Sequence, residues 1–396
     1  MTDVMQSAQS TDEQRVLELT DRLCDGVDVN DERGFLAAQF DAGLAWVNFP
    51  EGHGGLDLSP KLQRPIQLRI AERGGPLPAP GNVLGYGMAA ATVIAHGSDE
   101  QKQRYIRPLF TSEEIWCQLF SEPGAGSDLA GLATRAIRDG EEWLINGQKV
   151  WNSNAHNARW GMLVARTDPD SPKHRGLTYF ILDMQAPGVE VKPLRQMTGQ
   201  AEFNEVFMND VRVPDSMRLG DVGDGWRVSL TTLMNERVTI GGSAQNRPGS
   251  GLIGSVRRVL DEYGADDVKR AKFMELYTRA EVLRLTNMRA GQLRTAGTPG
   301  PEGSVGKITT ADLNQEMTEF AMELMGPHGQ LFGSFERQDN VQVDYSDLRT
   351  YFLRSRASSI EGGTSEIQRN IIGERVLGLP GDVRVDKELP WNQVPR

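Results

Sequence analysis

Two short stretches of this chain carry residue types that could hold a flat, hydrogen-bonding ligand. In Gln118-Leu119-Phe120-Ser121-Glu122-Pro123-Gly124-Ala125-Gly126-Ser127-Asp128, small residues let backbone amides come close to a ligand, and Ser121 and Ser127 add hydroxyls at the edge. The second stretch is Asn146-Gly147-Gln148-Lys149-Val150-Trp151-Asn152-Ser153-Asn154. On a strand, Trp151 and Ser153 point to the same side, so an indole face and a hydroxyl would meet one bound group. Taken singly, a Gly-rich loop is usually only a turn, and an isolated Trp belongs to a core. Further along, Glu236 in Leu233-Met234-Asn235-Glu236-Arg237 and Glu361 in Ile360-Glu361-Gly362-Gly363-Thr364-Ser365 are the candidate carboxylates for taking a proton. Burial would raise either toward a working pH by disfavouring the charged form.

The surrounding pattern says what must position these residues. Val16, Leu17, Leu19 and Leu23, then Phe35, Leu36, Phe40 and Leu44, recur at helical spacing, and Ser98-Asp99-Glu100-Gln101 after Gly97 has the form of a helix start. From about Trp116 the texture changes to short apolar or alternating runs at Trp143-Ile145, Gly161-Ala165, Leu177-Leu182 and Glu205-Met208, separated by turn signals. Helical spacing returns after Trp226, through Phe273 to Leu285 and from Ile308 to Met325. The expected architecture is an α+β multidomain chain: an N-terminal helical domain over 1–112, a middle antiparallel β domain over 113–225, a C-terminal helical bundle over 226–380, and a polar surface tail over 381–396.

Bulk properties exclude several classes. The 396 residues can bury a large core, and a net charge of −11 argues against a nucleic-acid or anionic-membrane surface. Cys24 and Cys117 alone cannot form a disulfide framework or a zinc site, so no metal is expected and a reducing cytoplasm fits. Neither a basic leader nor a run of eighteen apolar residues suggests export or membrane insertion.

Together, the two motifs resemble the acyl-CoA dehydrogenase family, whose middle domain carries an S/T-E-P-G-A-G-S-D loop and a W-x-T/S-N strand around FAD. Gly43 to Gly55, Gly97 to Lys102 and Gly363 to Arg369 resemble other segments of that family in the same order, so about 20 to 380 are covered. The resemblance implies a three-domain fold and a flavin site. Gln118, Phe120, Ser121, Gly126, Ser127, Trp151, Asn152, Ser153, Thr364 and Glu366 would hold FAD, with Ser121 at the pyrimidine edge, Trp151 over the isoalloxazine and Ser153 near N5. Ser127, Met234, Asn235, Arg237 and Gly362 would contact an acyl-CoA thioester. The implied reaction removes the α-proton to a carboxylate and the β-hydrogen as hydride to the flavin, with an electron-transfer flavoprotein as acceptor. Related readings are an oxygen-using acyl-CoA oxidase and a non-catalytic subunit of a flavoprotein complex.

In most members the base directly precedes Gly-Thr. Here Gly362 occupies that position and displaces Glu361 by one residue, which swings a side chain by about 100° on a helix or to the opposite face of a strand. Other members supply the base from a helical L-x-x-E-R segment, which Leu233, Glu236 and Arg237 match. Glu236 is therefore the expected base and Glu361 the fallback. The segments that in the family reach FAD across a homo-oligomer are altered here, at Glu262 to Lys272 and at Glu323 to Gly329, which suggests a heterotetramer with a related subunit as an alternative. Gly241-Gly242 and Arg247 to Gly251 should break the helix that carries Glu236, leaving room for a branched or polycyclic acyl group.

Overall fold

The computed structural model describes residues 2–76, 78–241, 247–295, 302–331, 347–381, 383 and 386–394; the side chains of 2–10, 236–241, 293–295 and 302 lie outside that description. The chain begins with helices α1 (Thr2–Gly26), α2 (Glu32–Asp41), α3 (Gln63–Glu72), α4 (Ala90–His96) and α5 (Asp99–Phe110). At the start of α5, the Ser98 side chain accepts from the Gln101 amide while the Gln101 side chain accepts from the Ser98 amide, a reciprocal cap that satisfies two otherwise open donors. Gln101 Nε2 also donates to the carbonyls of Ser216 and Arg218, both at 2.9 Å, so the same residue ties α5 to the edge of the sheet.

The middle of the chain forms one sheet from β1 (Trp116–Leu119), β2 (Arg135–Asp139), β3 (Glu142–Ser153), β4 (Trp160–Arg166), β5 (Leu177–Asp183), β6 (Val189–Leu194), β7 (Phe203–Pro214) and β8 (Arg218–Leu219). Their order is β6-β7-β3-β2-β4-β5-β8, with β1 beside β4. Most pairings are antiparallel, but β1 and the first residue of β2, Arg135, run parallel to β4, so the sheet is mixed. The reason is the long loop after β1, which carries the chain across before β2 begins and removes the hairpin constraint. Every residue of β4 is buried, as expected of a strand covered on both faces. One face packs Trp116, Trp160, Met162 and Tyr179 against Tyr105, Phe110 and Val228 of the helices; the other gathers Cys117, Trp143, Leu163, Phe180 and Val206.

The C-terminal helices are α6 (Gly225–Gly241), α7 (Leu252–Tyr263), α8 (Asp267–Thr295), α9 (Glu302–Met325), α10 (Leu348–Arg354) and α11 (Ser365–Ile371). Ile253, Val256, Phe273, Leu276, Leu313 and Phe320 form their shared core. A break lies between α6 and α7: residues 247–251 are outside any helix, and the chain turns through Gly249 and Gly251 before α7. The intervening 242–246 lie outside the described residues. Among the described residues, no helix is long and apolar enough to cross a membrane.

Residues 386–394, within the expected surface tail, contain no buried residue but are not detached. They fold back onto the β4–β5 connection, where the Trp391 amide donates to the Ser171 carbonyl at 3.0 Å and the Asn392 amide to that of Pro169 at 3.1 Å. Composition is polar there, but Trp391 gives the segment one large anchor.

Helix α6 is seated by close backbone approach. A Cβ on Gly225 would lie 2.6 Å from the Thr178 nitrogen and 2.7 Å from the Leu177 carbonyl carbon, both backbone atoms that cannot swing away. Gly225→Ala should therefore lower stability by about 1–3 kcal/mol, the usual cost of overpacking. Urea unfolding checks this; a variant as stable as the parent would mean that α6 is not fixed at this contact.

Candidate active site

The loop after β1 is held by a buried ion pair. Lys149 is fully buried on β3, and its Nζ donates to Glu122 Oε1 at 2.8 Å and to the Phe120 carbonyl at 3.0 Å. The Glu122 carboxylate also accepts from the Ala133 amide at 2.6 Å and the Thr134 amide at 2.9 Å. Burial works against both charges. For Glu122 the ammonium and the two amide donors outweigh it and hold the carboxyl below its usual range; Lys149 is pushed down by burial, against the pull of Glu122. The carboxylate sets the state of the pair, because three donors converge on it.

This joint fixes two surfaces relative to each other. The Val150 amide donates to the Ser121 carbonyl at 2.9 Å, and Asn152 Nδ2 donates to the Gln118 carbonyl at 2.7 Å. The register between β3 and β7 shifts between Lys149 and Asn152, a bulge that contains Trp151 in the left-handed region at φ 62°. Trp151 is thereby turned outward, 57% exposed, with its ring edge-on to Phe203 at 5.9 Å. Asn152 is buried between Trp151 and the part-exposed Ser153. Ser121 is part-exposed, Gly126 and Ser127 are exposed, and a Cβ on Gly124 or Gly126 would meet nothing within 4 Å. The Phe120 ring turns inward against Tyr179, 5.9 Å away.

A flavin fits this set. An exposed indole offers a stacking face, the loop has open space over its glycines, and among the described residues the buried Asn152 Oδ1 has no hydrogen-bond partner.

The two glutamates have different surroundings. Arg354 donates through Nη1 and Nη2 to the two oxygens of Glu361 at 3.1 and 2.7 Å, and through Nε to Glu202 at 3.2 Å. The same guanidinium lies over the Phe203 ring, 5.6 Å from its centroid. Burial and the nearby Glu361 raise the Glu202 carboxyl, with Arg354 opposing. Gly362 and Gly363 follow at φ 63° and 89°, a turn that side-chain-bearing residues rarely make. Thr364 then caps α11 by accepting from the Ile367 amide, and Glu366 lies exposed on its first turn.

Glu236 and Arg237 lie on α6, with side chains outside the described residues. Met234 is exposed, and the Asn235 amide group donates to the Thr231 carbonyl at 2.8 Å. One turn before Glu236, Thr232 is buried between Thr92 at 3.0 Å and the Tyr179 hydroxyl at 3.1 Å, while Thr231 meets His96 Nε2 at 2.8 Å. All three domains thus meet at this turn of α6.

Three successive stretches match family models: the acyl-CoA dehydrogenase N-terminal domain over 13–113, the middle domain over 117–211 and the C-terminal domain over 223–377. The chain belongs to the acyl-CoA dehydrogenase family. It is 38% identical over 347 residues to acyl-CoA dehydrogenase IpdE1 of Mycobacterium tuberculosis, covering 87% of this chain and 86% of that one. It is 41% identical over 342 residues to acyl-CoA dehydrogenase FadE34 of the same organism, covering 86% of this chain but 45% of the relative, so it spans less than half of that protein's length. The solved ChsE4-ChsE5 complex from Mycobacterium tuberculosis matches with a TM-score of 0.71 at 26% identity, over 95% of this chain and 98% of that one.

The two segments that depart from the family pattern touch each other. The rings of Tyr263 and His328 lie 5.8 Å apart, and Lys272 pairs with Glu323 at 3.4 Å. His328 is exposed, with the likewise exposed Tyr263 ring beside it. Sequence reasoning passed over Glu122, Lys149 and Arg354. For Lys149 a signal existed: it falls on the alternation that places Trp143 and Ile145 inward, and a cation at an inward position needs a buried partner. For Arg354 there was none, because its partners come from 7 and 152 residues away.

Lys149→Met leaves Glu122 buried without its cation and should cost about 3–5 kcal/mol, with Glu122→Gln in the same chain restoring part of the loss. Because the folded Glu122 pKa is depressed, its contribution is present above the unfolded pKa and fades as pH falls through the folded one. The parent should lose stability on acidification more steeply than the double variant. Denaturant titrations across acid pH check both, and equal slopes would remove Glu122 from the linkage.

Proposed function

We propose that this chain is an FAD-dependent acyl-CoA dehydrogenase in which Glu236 on α6 is the base that takes the α-proton of the thioester. The observation that carries this reading is the loop pinned to the strand, which joins the Ser121 and Gln118 carbonyls to Val150 and Asn152 beside the exposed Trp151 in a chain of this family. When bound, FAD supplies the acceptor for the β-hydrogen, which leaves with its electron pair as hydride, so loss of both hydrogens yields the trans-2,3-enoyl thioester. Gln118, Ser121, Gly126, Asn152 and Ser153 would hold the flavin's polar edge, Trp151 would cover its ring, and Thr364 and Glu366 would face its chain. Ser127, Met234, Asn235, Arg237 and the Gly362 backbone would orient the thioester, whose carbonyl must be polarised for the α-proton to leave.

The base assignment is supported by the state of its competitor. Arg354 engages both oxygens of Glu361, so that carboxylate already serves as an ion-pair partner. Glu236 sits one turn beyond the Thr232 anchor, where helix α6 is fixed against the N-terminal helices and β5.

The same reading includes an assembly. The altered 262–272 and 323–329 segments, joined to each other, support a partner subunit that completes the flavin site, and the ChsE4-ChsE5 structure is of a two-component complex by its name. An electron-transfer flavoprotein would reoxidise the cofactor. The break after α6 supports a bulky acyl group, which a higher kcat/KM on polycyclic than on straight-chain thioesters would bear out.

Glu236→Gln should lower exchange of the thioester α-proton with solvent by about a hundredfold or more, the usual range for a lost general base, while flavin absorbance is retained. Glu361→Gln should leave exchange near the parent level. Loss in Glu361→Gln alone, measured by deuterium incorporation, would overturn the assignment. Stoichiometric FAD and full turnover by the chain alone would remove the need for a partner.

A further inference from the structure

The family's C-terminal domain ends at 377, yet residues 386–394 form ordered contacts with the middle domain. Those contacts converge on the exit of the Ser127 loop. Trp391 Nε1 donates to the Gly131 carbonyl at 3.1 Å, and its indole covers the Arg166 guanidinium at 4.3 Å. Arg166, itself 3% exposed, donates to the carbonyls of Ala130 at 2.6 Å and Leu132 at 3.1 Å. Trp391 therefore shields from water the hydrogen bonds that fix the loop's far end. A second tie is electrostatic: Lys173 Nζ reaches Asp128 at 3.0 Å and Asp386 at 3.0 Å, with its side chain only 11% exposed. Asp386 helps hold Lys173 where it meets Asp128, the residue after Ser127. The Asp386 side of this bridge, 25% exposed, is screened less than the Asp128 side, 61% exposed.

We propose that residues 386–394 are a positioning strap for the thioester site, with Trp391 anchoring the exit of the Glu122–Asp128 loop and Asp386 acting on Asp128 through Lys173. The strap touches neither reacting atoms nor flavin. It sets where Ser127 and the amides beside it stand, and so governs how well a CoA thioester is gripped. This rests on the reading of the Ser127 loop as part of the thioester site.

The test uses the full-length holoprotein, with any partner it needs. Trp391→Ala should raise KM for the acyl-CoA about tenfold with kcat within about twofold and flavin absorbance unchanged, the pattern of lost substrate positioning. Asp386→Asn should raise KM less, and Asp386→Glu should restore it, which a merely structural role would not require. Amides of 124–132 should exchange hydrogen faster in Trp391→Ala than in the parent. Unchanged exchange in that segment overturns the strap, as does an unchanged KM in a variant whose tail trypsin cuts faster at Lys387. A parental protein inert toward every acyl-CoA thioester would instead sink the functional reading, and the exchange comparison would still decide whether the strap holds the loop.

Discussion

A lysine ammonium cut off from water stays charged only beside an anion, and on β3 of this protein Lys149 finds that anion in Glu122. The pair lies between the loop that follows β1 and the strand that ends in Trp151. Removing either partner leaves an uncompensated buried charge, so the two segments cannot separate without a large loss. Everything that would face a ligand here is referred to this joint: the Ser121 carbonyl is taken by the Val150 amide, the Gln118 carbonyl by Asn152, and Trp151 is turned outward by the bulge beside Lys149. Net stabilisation by a buried ion pair is small once desolvation is counted, and its use here is to permit one arrangement and forbid others.

The same economy of charge operates at the Gly362 turn. Arg354 bridges Glu202, at the entry to β7, and Glu361, just before α11 of the helical domain, while its guanidinium lies over Phe203, whose ring meets Trp151. Two domains are thereby linked through one side chain. Glu361 is engaged as an ion-pair partner, while α6 is fixed separately through Thr231 and Thr232.

Much of the fold was legible because it follows from local rules. The helix start at Ser98, the strand texture between Trp116 and Met208 and the helical face from Phe273 to Leu285 each depend on residues a few positions apart. Parallel pairing of β1 with β4 was not legible, since it depends on where a long loop delivers the chain. Nor was the docking of 386–394 visible, because a polar stretch with one Trp reads as solvated until a matching surface is known.

The sequence by itself determined which residues are candidates for the site: two motifs that resemble flavin-enzyme segments, an L-x-x-E-R segment at Glu236, and a glycine between Glu361 and Gly363-Thr364. These are statements about spacing along the chain, and short spacing survives as geometry within a strand, a turn or a helix. Tertiary structure decided which charges neutralise each other. Lys149 meets Glu122 across 27 residues, Arg354 meets Glu202 across 152, and the Trp391 indole meets the Gly131 carbonyl across 260. The physical reason is that a buried charge or an indole N–H selects its partner by proximity after folding, and proximity between distant segments is set by packing rather than by any local pattern.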